Sequence, residues 1–168
     1  MERKKQKRQG ATRALLGLLG IGFVFALAGV PQIFAAGTME SRDQARVSSL
    51  YRIQQAITSY HQDRGALPWH TPDRMLGGWE TSLDGAFLME LVEEGYLTSA
   101  PMDPINDDHF HFRYCVYGKD TWEGNQVPFY VLGAVALENP LEQPGPAGSF
   151  QRGERSWNDE FDFVLSGP

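Results

Sequence analysis

The chain has 168 residues, a formal net charge of −6 and a single cysteine, Cys115. That length suits one compact domain with an anchor and is too short for two ordinary domains. One cysteine excludes an intramolecular disulfide, and the alternation in RYCVY predicts that Cys115 is buried as a small apolar side chain rather than exposed as a reactive thiol.

The charge is divided unevenly along the chain. Residues 1–13 hold six Lys or Arg and one acid, and residues 14–36 hold no charge. Residues 37–168 hold the remaining nine bases and twenty acids. An acidic domain of this kind repels phosphate backbones, so we expect no nucleic-acid partner.

The uncharged segment predicts a transmembrane helix. Its 23 residues reach roughly 35 Å at about 1.5 Å per residue, enough to cross a bilayer core. The basic flank precedes it, which keeps the N-terminus in the cytoplasm and residues 37–168 outside the cytoplasmic membrane. The alternative is a signal peptide cleaved after Ala36. The bulky residues Ile33 and Phe34 at the outer small-residue site, and the length of the apolar run, favour a retained anchor.

The next segment predicts an amphipathic helix of about 20 residues, with Ser41 as N-cap. Apolar or aromatic side chains recur three or four residues apart: Val47, Leu50, Tyr51, Ile57 and Tyr60. The opposite side is predicted to be polar: Arg46, Ser49, Arg52 and Gln55. The helix is predicted to stop at Tyr60, Gly65 and Pro68, because Gly65 can take the left-handed conformation and Pro68 prevents the helix from resuming.

The rest of the chain predicts loops, a short helix and strands. Residues 66–82 are predicted to form a loop, and Leu83–Glu94 a second helix that ends at Gly95. Alternation from Phe110 to Val116, and the apolar run Phe129–Leu137, predict two antiparallel strands. A Pro/Gly-rich loop at 139–156 and a final strand at Phe161–Leu165 follow. The fold class is therefore predicted to be α+β, with a long N-terminal membrane and amphipathic helix packed on a small antiparallel sheet.

In this order the parts resemble type IV pilin-like proteins, most closely the major pseudopilin of type II secretion systems. Two groups of residues at about 10–138 carry the resemblance. The helix pattern comprises Ala45-Arg46-Val47, Leu50, Ile53-Gln54, Ala56-Ile57, Tyr60, Asp63, Gly65 and Pro68. The downstream pattern comprises Leu91, Gly95-Tyr96-Leu97, Pro101, Asp103-Pro104, Tyr114 and Tyr117.

The resemblance extends to the leader, which these proteins use for processing and assembly. It implies cleavage between Gly10 and Ala11, and Pro31 lies near the helix proline of the family. Ala11, Arg13 and Leu15 differ from the family motif G-F-[ST]-L-x-E. The missing acid is the one that would neutralise a neighbouring subunit's new amine. Small residues that allow close helix packing complete the predicted assembly helix: Gly17, Gly20, Gly22, Ala26 and Ala28.

The sequence offers little metal or catalytic chemistry. The oxygen-rich stretch Asp103–Asp108 could hold Ca²⁺ but lacks the EF-hand pattern, and such clusters more often form turns. Pilin-like proteins often hold Ca²⁺ in their C-terminal loops, so the resemblance points to Asp120, Glu123 and Asn125, or to Asn158, Asp159 and Asp162, in this chain. His109 and His111 are predicted to share a strand face, too few for a transition-metal site. We find no nucleophile motif and no phosphate-binding loop, so no enzyme and no cofactor are predicted.

Two further sets of side chains are predicted to take no part in catalysis or metal binding. Glu90, Glu93 and Glu94 are predicted to be solvated acids of the second helix. The four tryptophans lie in or beside predicted loops, which they either pin to the sheet or offer to a partner: Trp69, Trp79, Trp122 and Trp157.

The resemblance implies a structural or accessory subunit of a type II secretion or type IV pilus-like assembly. Its partners would be the membrane, copies of itself or other pilin-like subunits, and the assembly machinery, in the cytoplasmic membrane or in an extracellular filament. The differences at Ala11, Arg13 and Leu15 favour an alternative, a membrane-anchored extracytoplasmic binding domain that does not polymerise. A secreted enzyme or lectin released at Ala36 is a third hypothesis.

Overall fold

The computed structural model describes residues 37–70, 78–121, 126–146 and 151–168. The predicted leader at 1–13 and the predicted membrane helix at 14–36 lie outside the described residues. The described part is an α+β fold in which one helix packs on a four-stranded antiparallel sheet.

Helix α1 spans Met39–Arg64. Its N-cap is Thr38, whose side chain accepts a hydrogen bond from the backbone N of Ser41 at 3.2 Å. The prediction that Ser41 is the N-cap is therefore wrong, since Ser41 lies inside the first turn. At the other end Gly65 has a φ of 68°, and its N–H donates to the carbonyl of His61 at 2.9 Å.

The buried face of α1 differs from the predicted one. It includes Leu50, Ile57 and Tyr60, as expected, but also Ile53 and Ala56. Tyr51 is 43% exposed, and Arg46, predicted to be on the polar side, is 0% exposed. The burial stripe is therefore rotated towards Arg46, because the ion-pair partners described below make burial of a base possible there.

Between α1 and the first long strand the chain makes short elements. Strand β1 (Glu80–Thr81), which the prediction of a loop over 66–82 missed, leads into a 3₁₀ helix (Ser82–Asp84). Helix α2 spans only Met89–Glu93. A continuous helix over Leu83–Glu94 is wrong because Gly85 (φ 74°) and Leu88 (φ 52°) both lie in the left-handed region, which breaks the helical hydrogen-bond series.

The sheet consists, in spatial order, of β1, β2 (Phe112–Tyr117), β3 (Phe129–Ala134) and β6 (Phe163–Gly167), with all neighbours antiparallel. Strand β2 pairs with β3 in the register Tyr114 opposite Leu132. Strand β6 pairs with β3 on its other side. These strands lie close to their predicted positions. The predicted loop at 139–156 instead contains a hairpin of β4 (Gln151–Arg152) and β5 (Arg155–Ser156), followed by a 3₁₀ helix (Trp157–Asp159).

Both faces of the sheet are buried. Alternate residues such as Tyr114 and Leu132 join the core under α1. The residues between them, such as Val131, join a second core with Trp79 and Trp157. The hairpin approaches this second core, since the guanidinium of Arg152 lies 4.5 Å from the ring centre of Phe129. Strand β3 is buried along its whole length, which explains its continuous apolar sequence.

Candidate functional site

The most unusual feature of the described part is a buried base. Arg46 projects from α1 into the interior, where its side chain has no exposed surface. A buried charge is costly unless it is paired and hydrogen-bonded. The guanidinium is also 4.6 Å from the ring centre of Phe110, which covers it with an aromatic face.

The main partner of Arg46 is Asp103, in the turn between α2 and β2. Arg46 Nε donates to Asp103 Oδ2 at 2.8 Å, and Nη2 donates to Oδ1 at 3.2 Å, a two-point ion pair with no exposed side-chain surface on either residue. Asp103 Oδ1 also accepts from the backbone N of Ile105 at 2.8 Å. The carboxylate therefore fixes its own turn and joins that turn to the helix.

Two further carboxylates complete the surroundings of Arg46. Its Nη1 donates to Asp43 Oδ1 at 2.7 Å and to Glu138 Oε2 at 3.1 Å. Asp43 in turn accepts from the backbone N of Glu138 at 3.0 Å and of Asn139 at 2.9 Å. Asp43 therefore binds the helix to the loop that follows β3.

A second base, Arg42, lies one turn before Arg46. Its Nε donates to Glu138 Oε2 at 2.6 Å and its Nη2 to Oε1 at 2.5 Å, while Nη1 donates to the carbonyl of Gly37. We call the five residues Arg42, Asp43, Arg46, Asp103 and Glu138 the Arg46 cluster. It brings together α1, the turn at 103 and the loop at 138.

The electrostatics of the Arg46 cluster follow from these contacts. The hydrogen bond from Arg42, reinforced by Arg46, lowers the pKa of Glu138 to about 2, although its partial burial acts in the opposite direction. Burial alone would lower the pKa of Arg46. The hydrogen bonds and charge of Asp103, with the hydrogen bonds of Glu138 and Asp43, outweigh burial and raise it. Arg42, Arg46 and Glu138 are therefore ionised at neutral pH.

The predicted helix stop forms a second connected group. Tyr60 is buried and its hydroxyl donates to Glu90 Oε1 at 2.6 Å. Glu90 Oε2 accepts from the backbone N of Trp69 at 2.6 Å. Glu90 was predicted to be simply solvated, and that is wrong, because it joins α2 to the end of α1. The hydrogen bond to Glu90 and burial raise the pKa of Tyr60 to about 12.

Pro68 contributes through its carbonyl group. Pro68 is buried, and its carbonyl oxygen accepts a hydrogen bond from the Tyr114 hydroxyl of β2 at 3.0 Å. Near the end of α1, the Tyr96 hydroxyl donates to Asp63 Oδ2 at 2.9 Å. The Tyr96 and Tyr60 rings meet edge to face, with their centroids 5.4 Å apart. The end of α1 is thus bound to both β2 and the turn after α2.

The remaining predicted site residues lie outside the described part. These are the leader residues Gly10 and Ala11 and the assembly helix: Gly17, Gly20, Gly22, Ala26 and Ala28. Among the described residues, no helix is both long and apolar enough to cross a membrane.

The metal candidates have other contacts. No group of three or more His, Cys, Asp or Glu in the described part is placed to hold a metal ion. Asp103 is committed to Arg46, and Asp107 accepts from the backbone N of Phe110 at 2.8 Å, which is the contact of a turn former. Asp162 Oδ2 accepts from the backbone N of Leu137 at 2.8 Å. Asp120, Asn158 and Asp159 lie in the described part but belong to no such group of possible metal ligands. Glu123 and Asn125 lie outside the described residues.

The histidines and the cysteine also differ from their predicted surroundings. His111 is buried and His109 is exposed, and both precede β2, so they do not share a strand face. Cys115 is half-buried beside the second core, and burial raises the pKa of its thiol. A raised pKa makes the thiol less reactive at neutral pH.

The tryptophans behave in two ways. Trp79 and Trp157 are buried in the second core, where they pin loops to the sheet. Trp69 is 71% exposed, and Trp122 lies outside the described residues.

Helical periodicity alone missed the Arg46 cluster. The one local signal was the spacing of Asp43 and Arg46, three residues apart on α1, which suits an ion pair on a helix face. Asp103 and Glu138 lie 57 and 92 residues further along the chain, so no local pattern could join them to Arg46. No family model, curated protein or solved structure matches the chain.

Proposed function

We propose that the protein is a non-enzymatic, membrane-anchored structural or accessory subunit of a type II secretion or type IV pilus-like assembly. In this role residues 14–36 form a helix that lies in the bilayer of the cytoplasmic membrane before assembly. That helix afterwards packs among the helices of neighbouring subunits, which are copies of this chain or other pilin-like proteins.

The observation that carries the proposal is that positions of the two resembling patterns contact one another. Arg46 of the helix pattern forms its buried ion pair with Asp103 of the downstream pattern. The Tyr114 hydroxyl donates to the carbonyl of Pro68, and Tyr96 contacts both Tyr60 and Asp63. The positions that carry the resemblance therefore also join the helix to the turn at 103 and to β2.

The mechanics of such a subunit require a helix that is fixed rigidly to its domain. A force applied along an N-terminal helix reaches the sheet only through side-chain contacts. The Arg46 cluster provides these near the start of α1, and the contacts of Tyr60 and Pro68 provide them near its end. Both ends of the helix are therefore joined to the rest of the domain.

Sedimentation of sheared surface material, without detergent, tests the proposal. The full chain is expected in large assemblies, and a chain lacking residues 1–36 is expected to be absent from them. Gly20→Leu should reduce the assembled fraction because it blocks close helix approach, whereas Leu19→Ile is the matched control that leaves the glycine in place. Wild-type chain that sediments only as a membrane monomer would contradict the proposal.

A stand-alone anchored binding domain is the second candidate. It is favoured by Ala11, Arg13 and Leu15 in the leader, since an assembly that depends on an acid to pair with a neighbour's amine lacks that acid here. This candidate predicts a membrane monomer under the same conditions.

A further inference from the structure

A cavity of about 360 Å³ lies beside the end of α1, apart from the Arg46 cluster. Its described lining comes from the segment after the helix stop, from β1, from the turn before α2 and from α2: Trp69, Glu80, Ala86, Met89, Glu90 and Glu93.

The aromatic wall of this cavity is exposed yet held in place. Trp69 is the most exposed of the large hydrophobic side chains in the described part, at 71%. Its backbone N donates to Glu90 Oε2 at 2.6 Å, and Glu90 is itself held by the Tyr60 hydroxyl at 2.6 Å. A tryptophan presented to solvent on a fixed backbone is a common centre of binding energy in protein interfaces.

The polar wall consists of hydrogen-bond acceptors. Three of the described lining residues carry a carboxylate: Glu80, Glu90 and Glu93. The described lining contains no Lys or Arg. Glu93 is exposed, whereas Glu80 is buried and accepts from the backbone N of Leu88 at 2.6 Å. A carboxylate only accepts hydrogen bonds, whereas ammonium and guanidinium groups only donate. A neutral sugar brings acceptors as well as donors, and an anion would be repelled, so the lining favours a cation.

We propose that this cavity receives a lysine or arginine side chain from a partner protein, with the cation between Trp69 and Glu93 and its methylene stem on Met89. The tryptophan face attracts the cation, while the ring edge and the methionine cover the apolar stem. The site does not depend on residues 1–36, so it holds whether or not the chain polymerises.

Peptide titration of the full chain, in mild detergent, tests this site. The probes are acetyl-Gly-Lys-Gly-amide and the same peptide with norleucine in place of lysine, which keeps the stem and removes the charge. The lysine peptide is expected to shift the Trp69 indole N–H resonance, identified by its loss in Trp69→Phe, and the norleucine peptide is not. Trp69→Ala and Glu93→Gln should each weaken binding by about 2- to 5-fold, with a further fall as salt rises.

Glu142→Gln is the matched control, because Glu142 is an exposed carboxylate remote in sequence from the cavity lining, and binding should be unchanged. Equal binding of the norleucine peptide, equal weakening by Glu142→Gln, or no shift of the Trp69 signal at peptide concentrations of about 20 mM would overturn the proposal.

Discussion

At the scale of single residues, stability depends strongly on Arg46, because its charge has no contact with water. Arg46→Met keeps much of the apolar stem but leaves Asp43, Asp103 and Glu138 without that base. We expect a loss of about 3–5 kcal/mol in the free energy of unfolding, the range for breaking a buried ion pair. Urea unfolding measures it.

Two other variants make the Arg46 measurement specific. Asp103→Asn should cost less, about 1–3 kcal/mol, because Asp43 and Glu138 still pair with the base. Arg52→Met changes an exposed base on the same helix and should stay within about 0.5 kcal/mol of wild type. An Arg46→Met variant as stable as Arg52→Met would show that the ion pairs do not stabilise the fold.

Glu138 makes the stability dependent on acid pH. Its pKa falls from an ordinary 4.5 to about 2 in the folded chain, chiefly through the hydrogen bond from Arg42. A group whose pKa is lower in the folded state stabilises the fold above its unfolded pKa, and this contribution is lost as pH falls through the folded pKa. The contribution of Glu138 should therefore be complete at neutral pH and disappear between about pH 4.5 and 2.

Urea midpoints from pH 7 to pH 2 test this dependence. Glu138→Gln should be less stable than wild type at pH 7, and the difference should shrink towards pH 2. Glu142→Gln, on an exposed carboxylate, should follow wild type throughout. A constant difference between Glu138→Gln and wild type across the range would mean that the loss does not come from ionisation.

The burial of Arg46 could not be predicted from the helical pattern of the sequence. A helical-period pattern assigns each side chain to a face by type, and a base is assigned to the polar face. Arg46 is buried because Asp103 and Glu138, distant in sequence, surround it. Tyr51 is the converse case, since it was predicted to be on the apolar face and is 43% exposed. Its ring packs edge to face with that of Phe163, with the ring centroids 5.8 Å apart.

At the scale of elements, the end of α1 was predictable because it has a local signal, whereas its start was placed too late, at Ser41 instead of Thr38. The last turn ends at Gly65, whose φ of 68° suits glycine, and a Cβ built there meets no heavy atom within 4 Å. Leu83–Glu94 was not predictable in the same way. Its apolar spacing fits a helix, but the chain bends at Gly85 and Leu88 so that Phe87, Leu88 and Leu91 enter the core together. Such tertiary packing overrides local periodicity.

The end of α1 allows a clean test of backbone conformation. Gly65→Val should cost about 1–2 kcal/mol in the free energy of unfolding, because a β-branched residue resists the left-handed conformation. Since there is space for the side chain, the cost comes from φ alone. Gly65→Asn is the control and should cost less, as asparagine tolerates this region. If the urea midpoints of the valine variant and wild type coincide, Gly65 does not determine the helix end.

At the scale of the whole molecule, the sheet fold was predictable and the connections between distant segments were not. Alternation predicted β2, whereas a continuous apolar run predicted β3, whose two faces meet different cores and are both buried. The hairpin at 151–156 was missed because its four strand residues are polar or charged, without the alternation that marks a strand. The strand pairs alone do not indicate what the protein does, since many proteins pack one helix on such a sheet.

The mature N-terminus is the point at which the hypotheses about the whole chain differ by a covalent bond. A pilin-type peptidase would leave Ala11 first and keep the predicted membrane helix, whereas signal peptidase would remove that helix and leave Gly37 first. No processing would leave Met1 or Glu2. The charge of Arg13 can reach the membrane surface, but the acid missing at Leu15 removes a partner for a new amine.

We therefore expect a retained anchor, with cleavage after Gly10 slightly favoured over none, and intact mass spectrometry of protein from the native membrane measures it. Arg13→Leu brings the leader closer to the family motif and should raise the cleaved fraction if the peptidase is of the pilin type. Lys7→Leu removes a charge upstream of the cut and serves as the matched control. A chain that begins at Gly37 would contradict the assembly proposal, and an uncut chain in both variants would favour the anchored domain that does not polymerise.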